Sequence, residues 1–224
     1  MPVVSPIPQQ SSFGVPPGPV PFARKTWDNP IRYRLNRAYG DEFEYANLTQ
    51  FNRRWQRHTV PDTSLGFPGG SSIELYPSSQ GSAIYRPAPS GDFEMLLEYS
   101  GEASNNDMFG LYVVDANGSG QGCSLYSGSV YNWTVTTWNY SGSGNNTALA
   151  YPDTRHTWIA LKKSGTSYTA KGSTDGATFS SYTSANTNAI VPVYIGIGRM
   201  YTNATGSLSL HRLNVYPGPT FFVP

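Results

Sequence analysis

Residues 158–179 read WIALKKSGTSYTAKGSTDGATF, and their pattern decides the fold class. Trp158-Ile159-Ala160-Leu161 is apolar enough for a buried strand. Ser164-Gly165 supplies a turn, because glycine adopts positive φ without steric cost. The return from Tyr168 to Ser173 alternates with the period of a half-buried strand, so Tyr168 and Ala170 share one face and Thr169 and Lys171 the other. Thr174-Asp175-Gly176 is a second turn, and Phe179 lies beyond it to re-enter the core. The stretch is therefore a β-hairpin feeding a third strand.

The same punctuation runs through the rest of the chain. Strand-like runs fall at Ser72–Tyr76, Ser82–Arg86, Phe93–Tyr99, Phe109–Val114, Ser124–Tyr126, Tyr131–Asn139, Trp158–Lys163, Ser167–Ser173, Ile190–Gly198 and Ser207–Tyr216. Glycine, serine and asparagine clusters such as SGEASNND and NYSGSGNNT separate them. About ten strands with turn chemistry between them and little helix predict an all-β antiparallel β-sandwich of jelly-roll type. Leu48, Phe51 and Trp55 recur at helical spacing and predict one or two turns of helix. Along Tyr131–Asn139, Tyr131, Trp133 and Val135 share one side, and Thr134, Thr136 and Trp138 the other. In Ser207–Tyr216 the apolar positions change parity between Leu210 and Leu213, which predicts a bulge near His211-Arg212.

Four segments follow. Residues 1–22 carry seven prolines and almost no charge, and read as an extended arm. Residues 23–40 form an irregular basic and aromatic linker, 41–216 the sandwich domain, and 217–224 a tail. Phe13 and Phe22 in the arm, with Phe221 and Phe222 in the tail, are candidate attachment residues, since such ends are too apolar to serve as solvating tails.

Composition narrows the function. Charged residues make up 13% of the 224, hydrophobic residues 38% and aromatic residues 14%. The formal charge of +1 excludes the basic footprint of a phosphate-tracking nucleic-acid binder, so no nucleic-acid partner is expected. Arg53, Arg54 and Arg57 read as a solvated helix face. No run is long and apolar enough for a membrane span, and the first residues lack the charged and apolar blocks of a secretory signal. The lone Cys123 excludes an internal disulfide and reads as a small buried residue. Sequons at Asn47, Asn117, Asn132, Asn139, Asn145 and Asn203 read as accidents of an Asn/Ser/Thr-rich chain.

Three stretches together resemble the concanavalin A-like lectin/glucanase (laminin-G-like) jelly-roll domains found in, among others, bacteriophage structural proteins. They are GDEFEYANLTQFNRRWQRH, WIALKKSGTSYTAKGSTDGATF and YIGIGRMYTNATGSLSLHRLNVY, spanning about residues 41–216. The resemblance implies a lectin-like sandwich and leaves open glycan binding, glycoside hydrolysis or a structural role. Hydrolases of this kind carry a compact Glu-x-Asp-x-x-Glu strand, which this chain lacks. Glu42 and Glu44 would sit about 7 Å apart on a strand, and read as a solvated edge. His58, His156 and His211 have no metal-ligand spacing. Asp115-Ala116-Asn117-Gly118 reads as an Asx turn in preference to a calcium loop, so no cofactor and no metal are expected.

The sequence thus leads to three expectations. The chain is not an enzyme. Trp138, Tyr140, Asn145 and Asn146 are its candidate glycan-binding residues. Its role is that of a bacteriophage virion protein, a capsid decoration (cement) or fibre protein made in the host cytoplasm, without a membrane partner. Its partners would be other virion proteins, copies of itself in a trimer, and host surface glycans. A free carbohydrate-binding module is the first alternative, and a glycan-degrading enzyme the second.

Overall fold

The computed structural model describes residues 39–58, 64–69, 72–76, 82–101, 108–117, 120–127, 132–139, 147–152, 157–181, 185–199 and 207–218, with 58, 82, 108, 121–127, 132–139, 147–152, 186 and 199 described as backbone. One short helix, α1 (Leu48–Phe51), precedes the strands β1 (Gln56–His58), β2 (Leu65–Gly66), β3 (Ile73–Leu75), β4 (Ser82–Pro87), β5 (Phe93–Gly101), β6 (Met108–Val114) and β7 (Gly120–Ser127). There follow β8 (Asn132–Asn139), β9 (Thr147–Pro152), β10 (Trp158–Ser164), β11 (Ser167–Ser173), β12 (Asn186–Thr187), β13 (Tyr194–Arg199) and β14 (Leu208–Pro217).

They make two seven-stranded sheets. The first runs β1-β4-β13-β6-β7-β8-β9 and the second β12-β11-β10-β5-β14-β3-β2, every pairing between strands being antiparallel. The expected all-β antiparallel sandwich is what the chain forms.

Alternation sets which residues fill the space between the sheets. From the first sheet come Ile84, Phe109, Leu111, Val113, Ile195 and Ile197; from the second, Phe93, Met95, Leu97, Ile159, Leu161, Tyr168 and Ala170. All of these are buried, with Tyr168 and Ala170 on the face their spacing predicted. β5 reads almost continuously apolar because its other face is covered too. There Leu96 packs with Trp158 and Ala160 under Phe179 and Tyr216. The same outer face buries an ion pair, Lys171 Nζ to Glu94 Oε1 at 3.6 Å, with Lys171 stacked over the Phe179 ring. Burial lowers the Lys171 pKa, and the Glu94 carboxylate opposes that shift.

The quoted hairpin closes as Ser164↔Ser167 around Gly165, whose φ is +58°. Asp175 then caps the following loop by accepting the backbone N–H groups of Ala177 and Thr178 at 2.8 and 2.9 Å. The expected bulge in β14 lies between Leu210 and Arg212, and it lets Leu208, Leu210, Leu213 and Val215 all reach the core. In α1 the Asn47 side chain accepts from Gln50 N, while Gln50 Oε1 accepts from Ala46 N, a reciprocal cap.

Three local expectations need correction. The acidic edge strand at Glu42 and Glu44 does not form: residues 42–45 lie outside any strand and Phe43 has φ +52°. Its cause is Asp41, whose Oδ1 accepts the Phe43 N–H at 2.8 Å and turns the chain. The strand expected from Ile190 begins at Tyr194, beyond Pro192. Arg54 is not simply solvated: its guanidinium donates to the Gly40 carbonyl at 3.1 Å and lies 3.6 Å from Asp41.

That aspartate is the centre of a buried clasp. Asp41 is 2% exposed and pairs by its backbone with Leu213 of β14. Its Oδ2 accepts from the Tyr45 hydroxyl at 2.5 Å and from Trp55 Nε1 at 2.9 Å. Arg86 reaches it from β4 at 3.7 Å, with its guanidinium over the Trp55 ring. Burial, the hydrogen bond to Asp41 and its charge all push the Tyr45 pKa up. The clasp joins both sheets at one end of the core.

Candidate functional site

The outward face of the first sheet is where residue types and register combine into a surface with chemistry. Reading across the strands, Gln56 of β1 stands opposite Tyr85 of β4, Tyr85 opposite Gly196 of β13, and Gly196 opposite Tyr112 of β6. Tyr112 stands opposite Gly122 of β7, and Gly122 opposite Trp138 of β8. One cross-strand row is therefore amide, aromatic, glycine, aromatic, glycine, aromatic.

Glycine holds this arrangement down. A side chain at Gly196 would put its Cβ 2.6 Å from the Ile84 carbonyl oxygen and closer still to the Tyr112 ring. Only bare backbone lets Tyr112 lie across β13 and donate its hydroxyl to the Ile84 carbonyl at 3.2 Å. Tyr112 is 6% exposed, and Gly110, Gly196 and Gly198 beside it are buried as well. On β4 and β13, Tyr85 and Tyr194 meet edge to face, with ring centroids 5.1 Å apart, and both are half-buried. Gly198 and Gly110 pair directly in the next row, followed by Ser124 and Thr136. Glycine inside a strand often marks a place where another group approaches the backbone closely.

The outward positions of these strands hold no Asp, Glu, Lys or Arg, in a chain with 14 acidic and 15 basic residues. His58, at the β1 end, is the one imidazole position. By residue type these positions are aromatic, hydroxyl, amide and glycine, which together can offer apolar contact and directional hydrogen bonds without charge.

The sequence singled out one member of this row. Trp138 takes the position opposite Gly122, on the same side of β8 as Thr134 and Thr136, as its spacing predicted. Tyr140, Asn145 and Asn146 lie outside the described residues, as do Phe13, Phe22, Phe221 and Phe222. Tyr85, Tyr112, Tyr194 and the glycines were missed. The run YIGIGR carried the alternation, but only pairing with β4 and β6 shows what its glycines accommodate.

Chemistry elsewhere is sparser. Among the described residues no group of three His, Cys, Asp or Glu side chains could hold a metal ion. Asp115 Oδ1 accepts the Asn117 N–H at 2.8 Å, the Asx turn read from the sequence. Glu42 pairs with Arg212 at 3.2 Å. Ser100 Oγ and His211 Nε2 lie 2.6 Å apart on the second sheet, which is a nucleophile–base distance. Ser100 sits inside a ladder strand opposite Ser209.

No family model matches this sequence, and no curated protein matches it. Solved structures do match its fold. The glycoside hydrolase family 43 (GH43) protein BlXynB from Bacillus licheniformis aligns with a TM-score of 0.65 at 10% identity, over 80% of this chain and 39% of that one. A xylan β-1,4-xylosidase from Bacillus halodurans aligns with a TM-score of 0.63 at 10% identity, over 79% of this chain and 38% of the other. The chain thus spans about two fifths of the length of these enzymes. The exoplasmic/lumenal domain of VIP36, in a Ca2+/Man3GlcNAc-bound form, aligns with a TM-score of 0.59 at 13% identity, over 85% of this chain and 92% of that domain.

The fold is accordingly a lectin-like β-sandwich. The expectation that the chain is not an enzyme has to be corrected, because glycoside hydrolases stand among the structures with this fold. Lacking a Glu-x-Asp-x-x-Glu strand was too narrow a ground for it.

Proposed function

We propose that this chain is a carbohydrate-binding β-sandwich whose glycan face is the outward side of the first sheet. One observation carries the reading: an uncharged row in which Tyr85, Tyr112 and Trp138 alternate with glycine across adjacent strands. Sugar rings present apolar C–H faces and a rim of hydroxyls, which aromatic faces and neutral polar groups complement. The lectin and glycoside hydrolase structures with this fold support the same reading. The test is a glycan array followed by calorimetry. Binding to a neutral glycan that Tyr85→Ala weakens at least ten-fold, with an unchanged melt, is the expected result. No binding to any neutral glycan would sink the reading.

A second reading, favoured by the GH43 likenesses, is that the chain works in glycan hydrolysis, alone or beside a catalytic unit. Release of reducing sugar from xylan or arabinan by the purified chain tests it directly. The virion role, with its other virion proteins, trimer and host-surface glycans, is a separate proposal. It rests on the apolar, proline-rich residues 1–22 and 217–224 and on the family resemblance. Mass spectrometry of purified particles would decide it.

A further inference from the structure

We propose that Asn117-Gly118, in the turn between β6 and β7, is a self-modification site at which the folded protein converts its own asparagine to aspartate and isoaspartate, while the fold holds off the equivalent step at Asp175-Gly176. These are the one Asn-Gly and the one Asp-Gly pair in the chain. The reaction needs no co-reactant but water. The backbone nitrogen of Gly118 gives up its proton and attacks the side-chain carbonyl carbon of Asn117. The amide nitrogen takes up a proton and leaves as ammonia, and a five-membered succinimide closes. Water then opens the ring at either carbonyl, leaving a carboxylate on a normal backbone or on one lengthened by the side-chain methylene. A following glycine favours the attack, because it has no Cβ to crowd its nitrogen and bends into conformations other residues avoid.

The hydrogen bonds at the two pairs differ. Asn117 is exposed, and its backbone N–H donates to Asp115 Oδ1 at 2.8 Å, which holds the turn without engaging the side-chain amide. Among the described residues no hydrogen bond restrains that amide. At Asp175 the reacting atoms are tied down. Its Oδ1 accepts from Ala177 N at 2.8 Å, Thr178 N at 2.9 Å and Ser173 Oγ at 3.0 Å. Gly176 N, the would-be nucleophile, donates to Ser173 Oγ at 2.9 Å, and Gly176 is buried. The same bonds, that of Thr178 foremost, hold the Asp175 carboxyl ionised, and an ionised carboxylate has no hydroxyl to expel. The product would act on the first sheet. β6 and β7 close on the turn with Val114 opposite Gly120, so isoaspartate puts an extra methylene into the connection of two adjacent strands. The new carboxylate stands two residues from Asp115 and takes the formal charge of the chain from +1 to neutral.

Peptide mapping by mass spectrometry, with isoaspartate counted by enzymatic methylation, tests this on the full chain. In mildly alkaline buffer Asn117 of the native protein should convert roughly ten-fold or more faster than any other asparagine, and faster still as pH rises, since the attacking nitrogen must lose its proton. Unfolding in urea should change the Asn117 rate by less than about three-fold, because the native turn does not restrain the reacting amide. At mildly acid pH, isoaspartate at Asp175 should form roughly ten-fold or more faster in urea than in the native protein, with Ser173→Ala in between. Gly118→Val should slow the Asn117 reaction roughly ten-fold or more by crowding the nitrogen. Where that variant loses its cooperative melt, Asn117→Gln, whose longer side chain would have to close a larger ring, takes its place. Conversion of Asn117 no faster than that of the other asparagines, a greater acceleration of Asn117 on unfolding, or Asp175 reacting equally fast folded and unfolded would overturn the proposal.

Discussion

Replacing Asp41 by alanine should be the most damaging single change at the end of the core. The carboxylate is 2% exposed and accepts three hydrogen bonds, from Phe43 N, the Tyr45 hydroxyl and Trp55 Nε1. Hydrogen bonds to a charged group are worth about 1.5–3 kcal/mol each, which would sum to about 4.5–9 kcal/mol. That sum is too large, because burying the carboxylate already cost several kcal/mol of hydration. The better estimate is the cost of breaking a buried ionic cluster by removing one partner, about 3–5 kcal/mol. Arg86 is what makes it severe, since its side chain is only 9% exposed and lies 3.7 Å from the Asp41 carboxylate. For a chain of this size the loss corresponds to a drop in Tm of roughly 6–20 °C. Urea denaturation followed by intrinsic fluorescence should show a lower midpoint with an unchanged slope. Asp41→Ala with Arg86→Met should be less destabilised than the sum of the singles. A loss below about 1 kcal/mol, or strict additivity, would refute the clasp as a coupled unit.

Three further outcomes follow from particular contacts. Gly196→Ala should cost about 1–3 kcal/mol through overpacking against Tyr112 and Ile84, and should weaken glycan binding, as calorimetry and a melt would show; a neutral result would mean Tyr112 is not pinned. Lys171→Met should strand the buried Glu94 carboxylate and destabilise by about 3–5 kcal/mol, whereas Glu94→Leu with Lys171→Met should recover most of that loss; a double variant as unstable as the sum would contradict this. The carboxyl of Asp175 is held below its ordinary pKa by the N–H of Thr178, then that of Ala177, then the Ser173 hydroxyl. A depressed folded pKa stabilises fully above the unfolded value near ~4 and is lost as pH falls through the folded one. The stability gap between wild type and Asp175→Asn should thus shrink from pH 7 to strongly acid solution, and a gap constant across that range would exclude the mechanism.

Much of the fold was legible because local chemistry and tertiary demand agree. The hairpin at Trp158–Ser173 has alternation, a glycine at positive φ and an aspartate-capped exit, and it forms as read. Even the β14 bulge showed in the sequence, as a change of parity between Leu210 and Leu213. What was missed depends on partners. Gln56–His58 and Thr147–Pro152 are strands because β4 and β8 pair with them, and neither carries a strong pattern of its own. Glu42 and Glu44 looked like a strand face because alternation cannot report that Asp41 captures the next-but-one N–H. Of the proposed row, Trp138 stood out in the sequence, while the tyrosines and glycines joining it to Gln56 come from strands distant in sequence. A row across a sheet cannot be read until the order of the strands is known.

The bridge between Asp41 and Leu213 also fixes how the domain would bear mechanical load. Because the pairing is antiparallel, the chain just before Asp41 and the chain just after Leu213 leave the bridge side by side. Tension pulling those two segments apart would therefore open the contact in a peeling geometry, one hydrogen-bonded step at a time, and not in shear. The first obstacle to peeling is the Asp41 clasp, where Arg54 and Arg86 also grip the Gly40 carbonyl. At the other segment, Gly218 N is tied to the Asp92 carbonyl at 2.6 Å. Force arriving through either segment would meet a fastening before it reached the strands that carry the aromatic row.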